Sequence, residues 1–329
     1  MLYLHGIGHF HPENEITNKF IDELDIGTSD EWIIERTGIR SRRTVLSLDY
    51  IRETRNQDIR AATEAAVYTN TELGRRSAEM AITRAGIDRS EIGLVIGGGS
   101  APALLSPVEA CSTAAALDID AAAFSVSSAC TSFAAAIHVL SLMQADRVPP
   151  YVLIVQAESL TRVVNYNDRR SAVLFGDGSV AAVISTSIPG RAAILYSALD
   201  SNPKAYDKVT IPWAGYFEQE GATVQSFAIK KTINALRALQ REFGPAADGR
   251  MHFIGHQANL LMLENVCRTC RIPDDRHLSN VVDFGNTGTA GSPAVLSAHW
   301  EQFEEGDHVA VVGVGGGLTW TSTMIRFGA

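Results

Sequence analysis

The sequence predicts an α/β protein whose main strands lie in parallel sheets. Three continuous apolar runs, each bounded by glycine or polar residues, have the pattern of buried parallel strands. They cover residues 92–100, 151–159 and 309–317. Segments with helical periodicity alternate with these runs, and such alternation is typical of α/β architecture. A chain of 329 residues with 46% hydrophobic and 20% charged residues can also bury a sizeable core.

Helical periodicity covers four segments: residues 72–86, 131–145, 225–244 and 257–272. The first of these ends at Gly86, and glycine commonly terminates helices. Residues 41–70 are polar and lack a regular period, so we expect a surface excursion or part of a lid there.

The same order of elements occurs twice along the chain, which predicts two related halves. Each half runs through a helix, a strand, a polar turn and a second helix to a strand end rich in glycine. These strand ends are FGDGS at 175–179 and GVGGG at 313–317. We therefore expect an N-terminal half over residues 1–190 and a C-terminal half over residues 191–329.

Charge and hydropathy argue against several classes of function. The net charge of −9 disfavours a broad nucleic-acid-binding surface. No apolar run reaches the roughly 18–20 residues that span a bilayer, and the first residues lack the pattern of a signal peptide. We therefore expect a cytoplasmic protein with free thiols. Its cysteines are Cys111, Cys130, Cys267 and Cys270.

Cys130 lies where a strand-like segment gives way to a helix-like one, in FSVSSACTSFAAAI at 124–137. Unpaired N–H groups at a helix start carry partial positive charge, so a thiol there is expected to have a lowered pKa and to be a better nucleophile. The small residues that follow allow close packing of the helix. The alternative at this point is that Cys130 is a small core residue.

His256 and Asn286 are the polar residues best placed to act with such a thiol. His256 follows the strand-like MHFIG and precedes a helix, and the carboxyl ends of strands are where α/β proteins hold their sites. Asn286 lies in FGNTGTAGSP, before a segment of small residues. Gly316 belongs to a run of glycines after a strand, where a backbone N–H can approach a substrate oxygen.

The stretches SSACTSF, GHQAN, FGNTGTAGSP and VGVGGGLTW, in this order, resemble the β-ketoacyl-acyl carrier protein synthase III family of the thiolase superfamily. TSDEWIIERTGIRSRR and DRRSAVLFGDGS resemble it too, so the similarity covers nearly the whole chain. The resemblance implies a duplicated thiolase-like fold, layered αβαβα with two central mixed sheets, usually as a homodimer. Departures from the common family pattern suggest a specialised member of secondary metabolism.

The resemblance also implies roles for individual residues. Cys130 would be the nucleophile that accepts an acyl group, and its own N–H and that of Gly316 would form the oxyanion hole. His256 and Asn286 would bind the carbonyl of the second thioester. The positions that match the coenzyme A contacts of the family are Thr28, Trp32, Arg36 and Arg169.

The implied activity is that of an acyltransferase of the condensing type, in fatty acid or polyketide-like biosynthesis. An acyl group would pass from an acyl thioester to Cys130, and a malonyl- or β-ketoacyl-thioester would then form a carbon–carbon bond with it. Coenzyme A thioesters would be substrates and acyl carrier protein a partner, with no tightly bound cofactor or metal. Transfer to an oxygen or nitrogen acceptor on the same fold is the alternative. A non-catalytic partner subunit is disfavoured by the presence of Cys130.

The three departures from the family pattern are Val314, Leu261 and the stretch GNTGTAGSP, which replaces the more usual Asn-Thr-Ser. Val314 stands where the family often has an aromatic residue, and a smaller side chain leaves room for a longer second substrate. Leu104 and Leu105 in APALLSPVEA are expected to line the acyl tunnel, within one chain or across to a partner. Leu261 replaces an arginine that often contributes to carrier-protein docking. Arg268 and Arg271 are candidates to compensate for it.

Other motifs are interpreted as structural. Cys267-x-x-Cys270 is a lone pair within a predicted helix, which favours structural cysteines over a metal or redox site. GVGGG lacks the spacing of a dinucleotide-binding fingerprint. Asp177 in FGDGS is interpreted as a turn residue rather than a catalytic acid.

Overall fold

The main strands begin where the apolar runs predict them. The computed structural model describes residues 1–328. Its strands are β1 (Leu2–Phe10), β2 (Glu15–Thr17), β3 (Ser41–Arg43), β4 (Ile92–Gly97), β5 (Ala122–Ser125), β6 (Tyr151–Glu158), β7 (Gly178–Ser185), β8 (Ala192–Ser201), β9 (Val209–Thr210), β10 (Glu218–Gln219), β11 (Met251–Gly255), β12 (His308–Gly315) and β13 (Thr319–Phe327). Its α-helices are α1 (Asn18–Glu23), α2 (Asp30–Thr37), α3 (Leu48–Thr54), α4 (Ile59–Ala65), α5 (Asn70–Ala85), α6 (Glu109–Ala116), α7 (Ser132–Ser141), α8 (Arg169–Ala172), α9 (Gly221–Ala247), α10 (Leu260–Cys270), α11 (Val281–Phe284) and α12 (Gly291–Ala298).

The main sheet contains the same strand order twice. In the first part, β5, β4, β6, β7 and β1 lie side by side, with parallel pairs up to β6 and antiparallel pairs after it. In the second part, β11, β12, β13 and β8 repeat the last four places of this order with the same pair directions. A single parallel bridge between Phe253 and His277 occupies the place of the missing edge strand.

The two parts of the sheet are hydrogen-bonded to each other at one edge. β1 and β8 pair antiparallel through Leu2, Tyr3 and Leu4, so the two mixed sheets that the sequence predicts form one nine-stranded sheet. The predicted α/β class is confirmed. The repeated order supports a division into residues 1–190 and 191–329, because β7 ends before this boundary and β8 begins after it. The division itself stays a prediction.

Alternate residues of the strands face two different helix layers. On β6, Ile154 belongs to the core that includes residues of α7 and α12, whereas Leu153 and Val155 belong to the core that includes residues of α5 and α6. α7 packs against β8 and β13 of the second part, and α12 packs against β1 and β7 of the first. These two helices therefore form the central layer of an αβαβα arrangement, with α5, α6, α9 and α10 outside.

Two expectations about local structure are wrong. The helix expected over 131–145 is shorter, because a 3-10 turn (Ala129–Thr131) precedes α7 and the helix ends at Ser141. Residues 41–70 are not an irregular excursion: they form β3, α3 and α4. Val45, Leu46 and Ile51 are buried there in a core cluster, which a polar average composition conceals. Within residues 1–328, every helix is too short or too polar to span a bilayer.

Trp300 offers a test of the packing around the central layer. It is 1% exposed and contacts Phe327 edge to face, with ring centroids 5.2 Å apart. We expect Trp300→Ala to lower the free energy of unfolding by about 3–5 kcal/mol in urea denaturation, because it empties a closely packed site. Trp213→Ala is the matched control, since Trp213 is 66% exposed. Equal effects of the two substitutions would contradict the packing described here.

Candidate active site

Cys130, His256 and Asn286, which are far apart in the sequence, line one cavity of about 360 Å³. The cavity lies where the strand ends of the second half meet the turn before α7. His256 and Asn286 are each 7% exposed, and Cys130 is half-buried. The same cavity is lined by Arg36, Val314, Gly315 and Gly316. The structure therefore brings the predicted thiol, imidazole, amide and glycine run together.

The turn that carries Cys130 is held in an unusual conformation by its neighbours. Ala129 has φ +47°, a left-handed conformation that non-glycine residues rarely adopt. The Ser132 hydroxyl accepts the N–H of Ser128 at 2.9 Å and donates to the carbonyl of Ala129 at 2.7 Å, which closes the turn. Strain of this kind concentrates at functional sites.

Gly315 allows the end of β12 to approach this turn. A Cβ atom at this position would lie 3.1 Å from the Cys130 nitrogen and 3.2 Å from that of Thr131, which is closer than most Cβ atoms approach a neighbour. Glycine at 315 therefore lets two backbone segments meet where the predicted oxyanion hole would form.

The surroundings of Cys130 do not favour the thiolate. Burial, and after it the nearby Glu158 carboxylate, raise the pKa of the thiol to about 12, although the Ser100 hydroxyl acts in the opposite direction. The expectation of a pKa lowered by the helix start is therefore wrong. α7 begins two residues after Cys130, and desolvation outweighs the partial charge of its first N–H groups.

His256 is held at the end of β11 by the residue after it. The Gln257 side chain donates to the carbonyl of Gly255 at 2.7 Å and accepts the N–H of Asn280 at 2.9 Å, so the strand end is tied to the start of α11. Burial lowers the pKa of His256 to about 4. The imidazole is therefore neutral at physiological pH and has one N–H to donate.

Asn286 lines the cavity with its side-chain amide oxygen already engaged. Its backbone pairs with the segment before β7, through its N–H to the carbonyl of Leu174 at 2.8 Å and its carbonyl to the N–H of Gly176 at 3.1 Å. Its Oδ1 accepts the N–H of Gly288 at 3.0 Å. The amide N–H groups are thus the part of the side chain left to act as donors.

The residues predicted to contact coenzyme A gather around α2. The guanidinium carbons of Arg36 and Arg169 lie 4.5 Å and 5.0 Å from the centre of the Trp32 ring. Thr28 Oγ1 is buried without a hydrogen-bond partner in the described part of the chain. Asn259 Nδ2 donates to the carbonyl of Arg36 at 2.8 Å, which fixes the end of α2 beside the cavity.

The predicted tunnel residues do not lie together. Val314 lines the cavity of Cys130, but Leu104 and Leu105 are 54% and 69% exposed, and Leu105 lines a separate cavity of about 740 Å³. The expectation that they line the acyl tunnel is therefore wrong within a single chain, because the loop before α6 turns these side chains outward. The alternative of a partner subunit's tunnel stays a prediction.

Sequence reasoning missed the space directly behind the nucleophile. A cavity of about 40 Å³ is lined by Cys130 and by apolar residues of α7, α12 and β13, among them Phe133, Ile137, Leu296 and Ile325. It is a mainly apolar space inside the protein, although Ser and Thr side chains also line it.

Sequence reasoning also missed Glu158, the carboxylate beside Cys130. Glu158 is the charged last residue of the mainly apolar strand β6. A charged residue at the end of a buried strand was the signal that could have indicated its place in the site. Asp177 is not the turn residue we expected. It is buried and accepts hydrogen bonds from the N–H groups of Val45 and Thr161, each at 2.8 Å. Among residues 1–328, His, Cys, Asp and Glu side chains nowhere form the group of three that a metal ion would need.

Comparison with known proteins agrees with this geometry. The family model described as 3-oxoacyl-[acyl-carrier-protein (ACP)] synthase III matches residues 124–203, and that of its C-terminal part matches residues 247–327. The β-ketoacyl-[acyl-carrier-protein] synthase III of Aliarcobacter butzleri is 31% identical over 98% of this chain and 96% of that protein. The chain belongs to this family.

Solved structures of synthase III proteins have the same fold. The crystal structure of 3-oxoacyl-[acyl-carrier-protein] synthase III from Aquifex aeolicus matches with a TM-score of 0.87 and 27% identity, over 99% of this chain and 100% of that chain. The priming β-ketosynthase from the R1128 polyketide biosynthetic pathway matches with a TM-score of 0.82 and 25% identity, over 99% of this chain and 96% of that chain. The protein is therefore a condensing enzyme of the acyltransferase class with a thiolase-like fold, as the sequence predicted.

The neutral state of His256 predicts how stability depends on pH. The pKa of His256 is about 4 in the folded protein and about 6.5 in the unfolded chain, so only the unfolded chain gains a proton below pH 6.5. Stability is therefore lost as the pH falls from 6.5. At pH 5, His256→Gln should reduce this loss by about 2 kcal/mol in urea denaturation. Parallel stability curves for the two proteins between pH 7 and pH 5 would contradict the assignment.

Proposed function

We propose that the protein transfers an acyl group from an acyl thioester to Cys130 and then joins it to a malonyl- or β-ketoacyl-thioester by a Claisen-type carbon–carbon bond. The observation that supports this best is the single cavity that holds a thiol, a neutral imidazole and an amide. This is the set that two-step condensation needs: a nucleophile to store the acyl group, and uncharged donors for the second substrate.

In the first half-reaction, the Cys130 sulfur attacks the thioester carbonyl and the donor thiol leaves. Negative charge develops on the carbonyl oxygen, and the N–H groups of Cys130 and Gly316 are the proposed oxyanion hole. The close approach of Gly315 to the Cys130 turn supports this, because it brings the two backbone segments together. Loss of one such donor typically costs about 10²–10³ in rate.

In the second half-reaction, His256 and Asn286 hold the carbonyl oxygen of the second thioester. The enolate forms there when a malonyl thioester loses CO2, or when a β-ketoacyl thioester loses the proton between its two carbonyl groups. The enolate carbon attacks the acyl carbon on Cys130, the carbon–sulfur bond breaks, and Cys130 leaves as thiolate. Neutral donors suit this step, because they stabilise a developing oxyanion without trapping it as a permanent ion pair. The pKa of about 4 at His256 supports this role, since the ring keeps its neutral form throughout the physiological range.

Acyl-coenzyme A is the proposed first substrate, carried in as substrate rather than as a bound cofactor. Trp32 and Arg169 would hold its adenine, and Thr28 and Arg36 would make further contacts. Two observations support this placement: Arg36 lines the cavity of Cys130, and the Thr28 hydroxyl just before α2 has no hydrogen-bond partner among the described residues.

The remaining assignments follow from the family. We propose an acyl carrier protein as partner, a homodimer as the working form and the cytoplasm as location. Leu261 is partly exposed on α10, so Arg268 and Arg271 on the same side of the site are the proposed docking cations.

Covalent acylation of Cys130 is the first test of this function. Incubation with acyl-CoA donors of different chain length should add one acyl mass to the wild-type protein and none to Cys130→Ser, by intact-mass spectrometry. His256→Ala should still self-acylate, whereas its condensation rate should fall by about 10²–10³. Equal loss of both half-reactions in His256→Ala would show that the role assigned to this residue is wrong.

The products of the same reaction separate the possible acceptors. A ketone supports condensation, whereas an ester or an amide would mean transfer to an oxygen or nitrogen acceptor. An active enzyme that forms no adduct with any donor would overturn the proposed function as a whole.

The adenine contact predicts a second, selective loss. Trp32→Ala removes a stacking surface that is typically worth about 1–3 kcal/mol per base, so KM for acyl-CoA should rise by about 5–150-fold. An acyl-N-acetylcysteamine thioester lacks the adenine, and its turnover should be unchanged. If both donors are affected alike, Trp32 supports the fold of α2 rather than binding the nucleotide.

A further inference from the structure

Glu158 is a buried carboxylate next to Cys130 that the mechanism above does not use. It is the last residue of β6 and has a relative exposure of 0%. Its negative charge acts on Cys130 and opposes ionisation of the thiol. Burying a carboxylate is unfavourable even when it is hydrogen-bonded, so its position beside a nucleophile that must ionise calls for an explanation.

Ser100 connects Glu158 to Cys130. Its N–H lies 3.0 Å from each carboxylate oxygen, and its hydroxyl donates to Oε1 at 2.9 Å. The same hydroxyl acts on the Cys130 thiol and lowers its pKa. The loops that carry Ser100 and Cys130 lie side by side, because the Ser127 hydroxyl donates to the carbonyl of Gly99 at 3.5 Å. Ser100 therefore lies close to both the thiol and the carboxylate.

The carboxylate is also fixed from the side of Asn286. The N–H of Thr289 donates to Oε1 at 3.4 Å. A Cβ atom on Gly288 would lie 2.8 Å from Oε1, so glycine at this position is what lets the loop approach the carboxylate. Glu158 is thus held between the loop of Ser100 and the loop of Asn286, with little freedom to turn away.

We propose that Ser100 and Glu158 form a proton relay that removes the proton of the Cys130 thiol as its sulfur attacks the thioester. The inference rests on the function proposed above for the acyl-transfer step, and it adds the proton acceptor that this step lacks. A base that acts through one intervening hydroxyl is within the reach that general base catalysis requires.

Over one turnover, the relay carries one proton from Cys130 to Glu158 and later returns it. The thiol proton passes to the Ser100 oxygen while the Ser100 hydroxyl proton passes to Glu158, which becomes a neutral acid. The sulfur forms its bond to the acyl carbon, the bond from that carbon to the donor sulfur breaks, and the donor thiolate takes a proton from water. When condensation releases Cys130 as thiolate, Glu158 returns the proton through Ser100.

The environment of Glu158 suits a group that changes its charge in this way. Burial raises the pKa of Glu158 to about 7, although hydrogen bonds from Ser100 and Thr289 act in the opposite direction. The ionisable groups that act on it electrostatically are Cys130, Glu109 of α6 and Arg162. The carboxylate is therefore available as base above pH 7. Its neutral form in the acyl-enzyme removes a charge that would oppose the enolate.

Alkylation of Cys130 by iodoacetamide tests the relay without any acyl donor. The rate is followed from pH 5.5 to pH 9 by peptide mapping, because the exposed Cys111 also reacts. In the wild-type protein the rate should rise through an inflection near pH 7 and then level off. In Glu158→Gln the inflection should vanish, and the rate at pH 8 should fall at least 10-fold.

The alternative is that the charge of Glu158 only disfavours the thiolate of Cys130. If Glu158 only suppresses the thiolate by its charge, Glu158→Gln will alkylate faster than the wild-type protein at every pH, and the relay is overturned. Glu109→Gln is the matched control. Glu109 is a half-buried carboxylate with hydrogen bonds from Asn70 and Ala103 at 2.8 Å, and its charge raises the pKa of Glu158. Its substitution should therefore keep the inflection and move it to lower pH, with the rate at pH 8 within 2-fold of that of the wild-type protein.

Ser100 provides the second variant, which leaves the buried carboxylate in place. Ser100→Ala should reproduce the slow alkylation of Glu158→Gln, and Ser100→Thr, which retains a hydroxyl, should restore it. A wild-type rate in Ser100→Ala would overturn the relay. Self-acylation by acyl-CoA tests the proposed function separately from the relay. If the wild-type protein does not self-acylate, the proposed function is wrong. If the variants alkylate like the wild-type protein, only the relay is wrong.

Discussion

The contact between the first turn of α7 and the 3-10 turn (Gly288–Ala290) that leads into α12 is the constraint on which the active site depends. Both helices lie between the two parts of the sheet, where their unpaired N–H groups have no water to bind. One of these groups finds its partner in the other half: the N–H of Phe133 donates to the Thr289 hydroxyl at 2.8 Å. This bond fixes the turn of Cys130 against the loop of Asn286, so the distance between thiol and amide is set by the core.

Burial near Cys130 favours the uncharged forms of the thiol, the Glu158 carboxyl group and the His256 imidazole. It raises the pKa of Cys130 to about 12 and that of Glu158 to about 7, and it lowers that of His256 to about 4. The thiol and the imidazole are therefore neutral at physiological pH, and the carboxylate lies close to its own midpoint there. A buried site of this kind strengthens each hydrogen bond to a developing oxyanion, because there is little solvent to screen it.

The sequence predicted the parts of the molecule that depend on local pattern. The apolar runs located β4, β6 and β12, and the motifs around Cys130, His256 and Asn286 indicated side chains that do line one cavity. It could not predict properties that arise from packing. The pKa of Cys130 depends on burial and on Glu158, which is 28 positions away along the chain. The outward turn of Leu104 and Leu105 depends on the loop before α6 and has no periodic signal.

Because the strand order is repeated, each repeat contributes a residue to the same cavity. Cys130 and Asn286 occupy equivalent places in the two repeats, each in the connection that leads into a central helix. The thiol and the amide therefore reach one reaction chamber from two similar connections, one in each repeat.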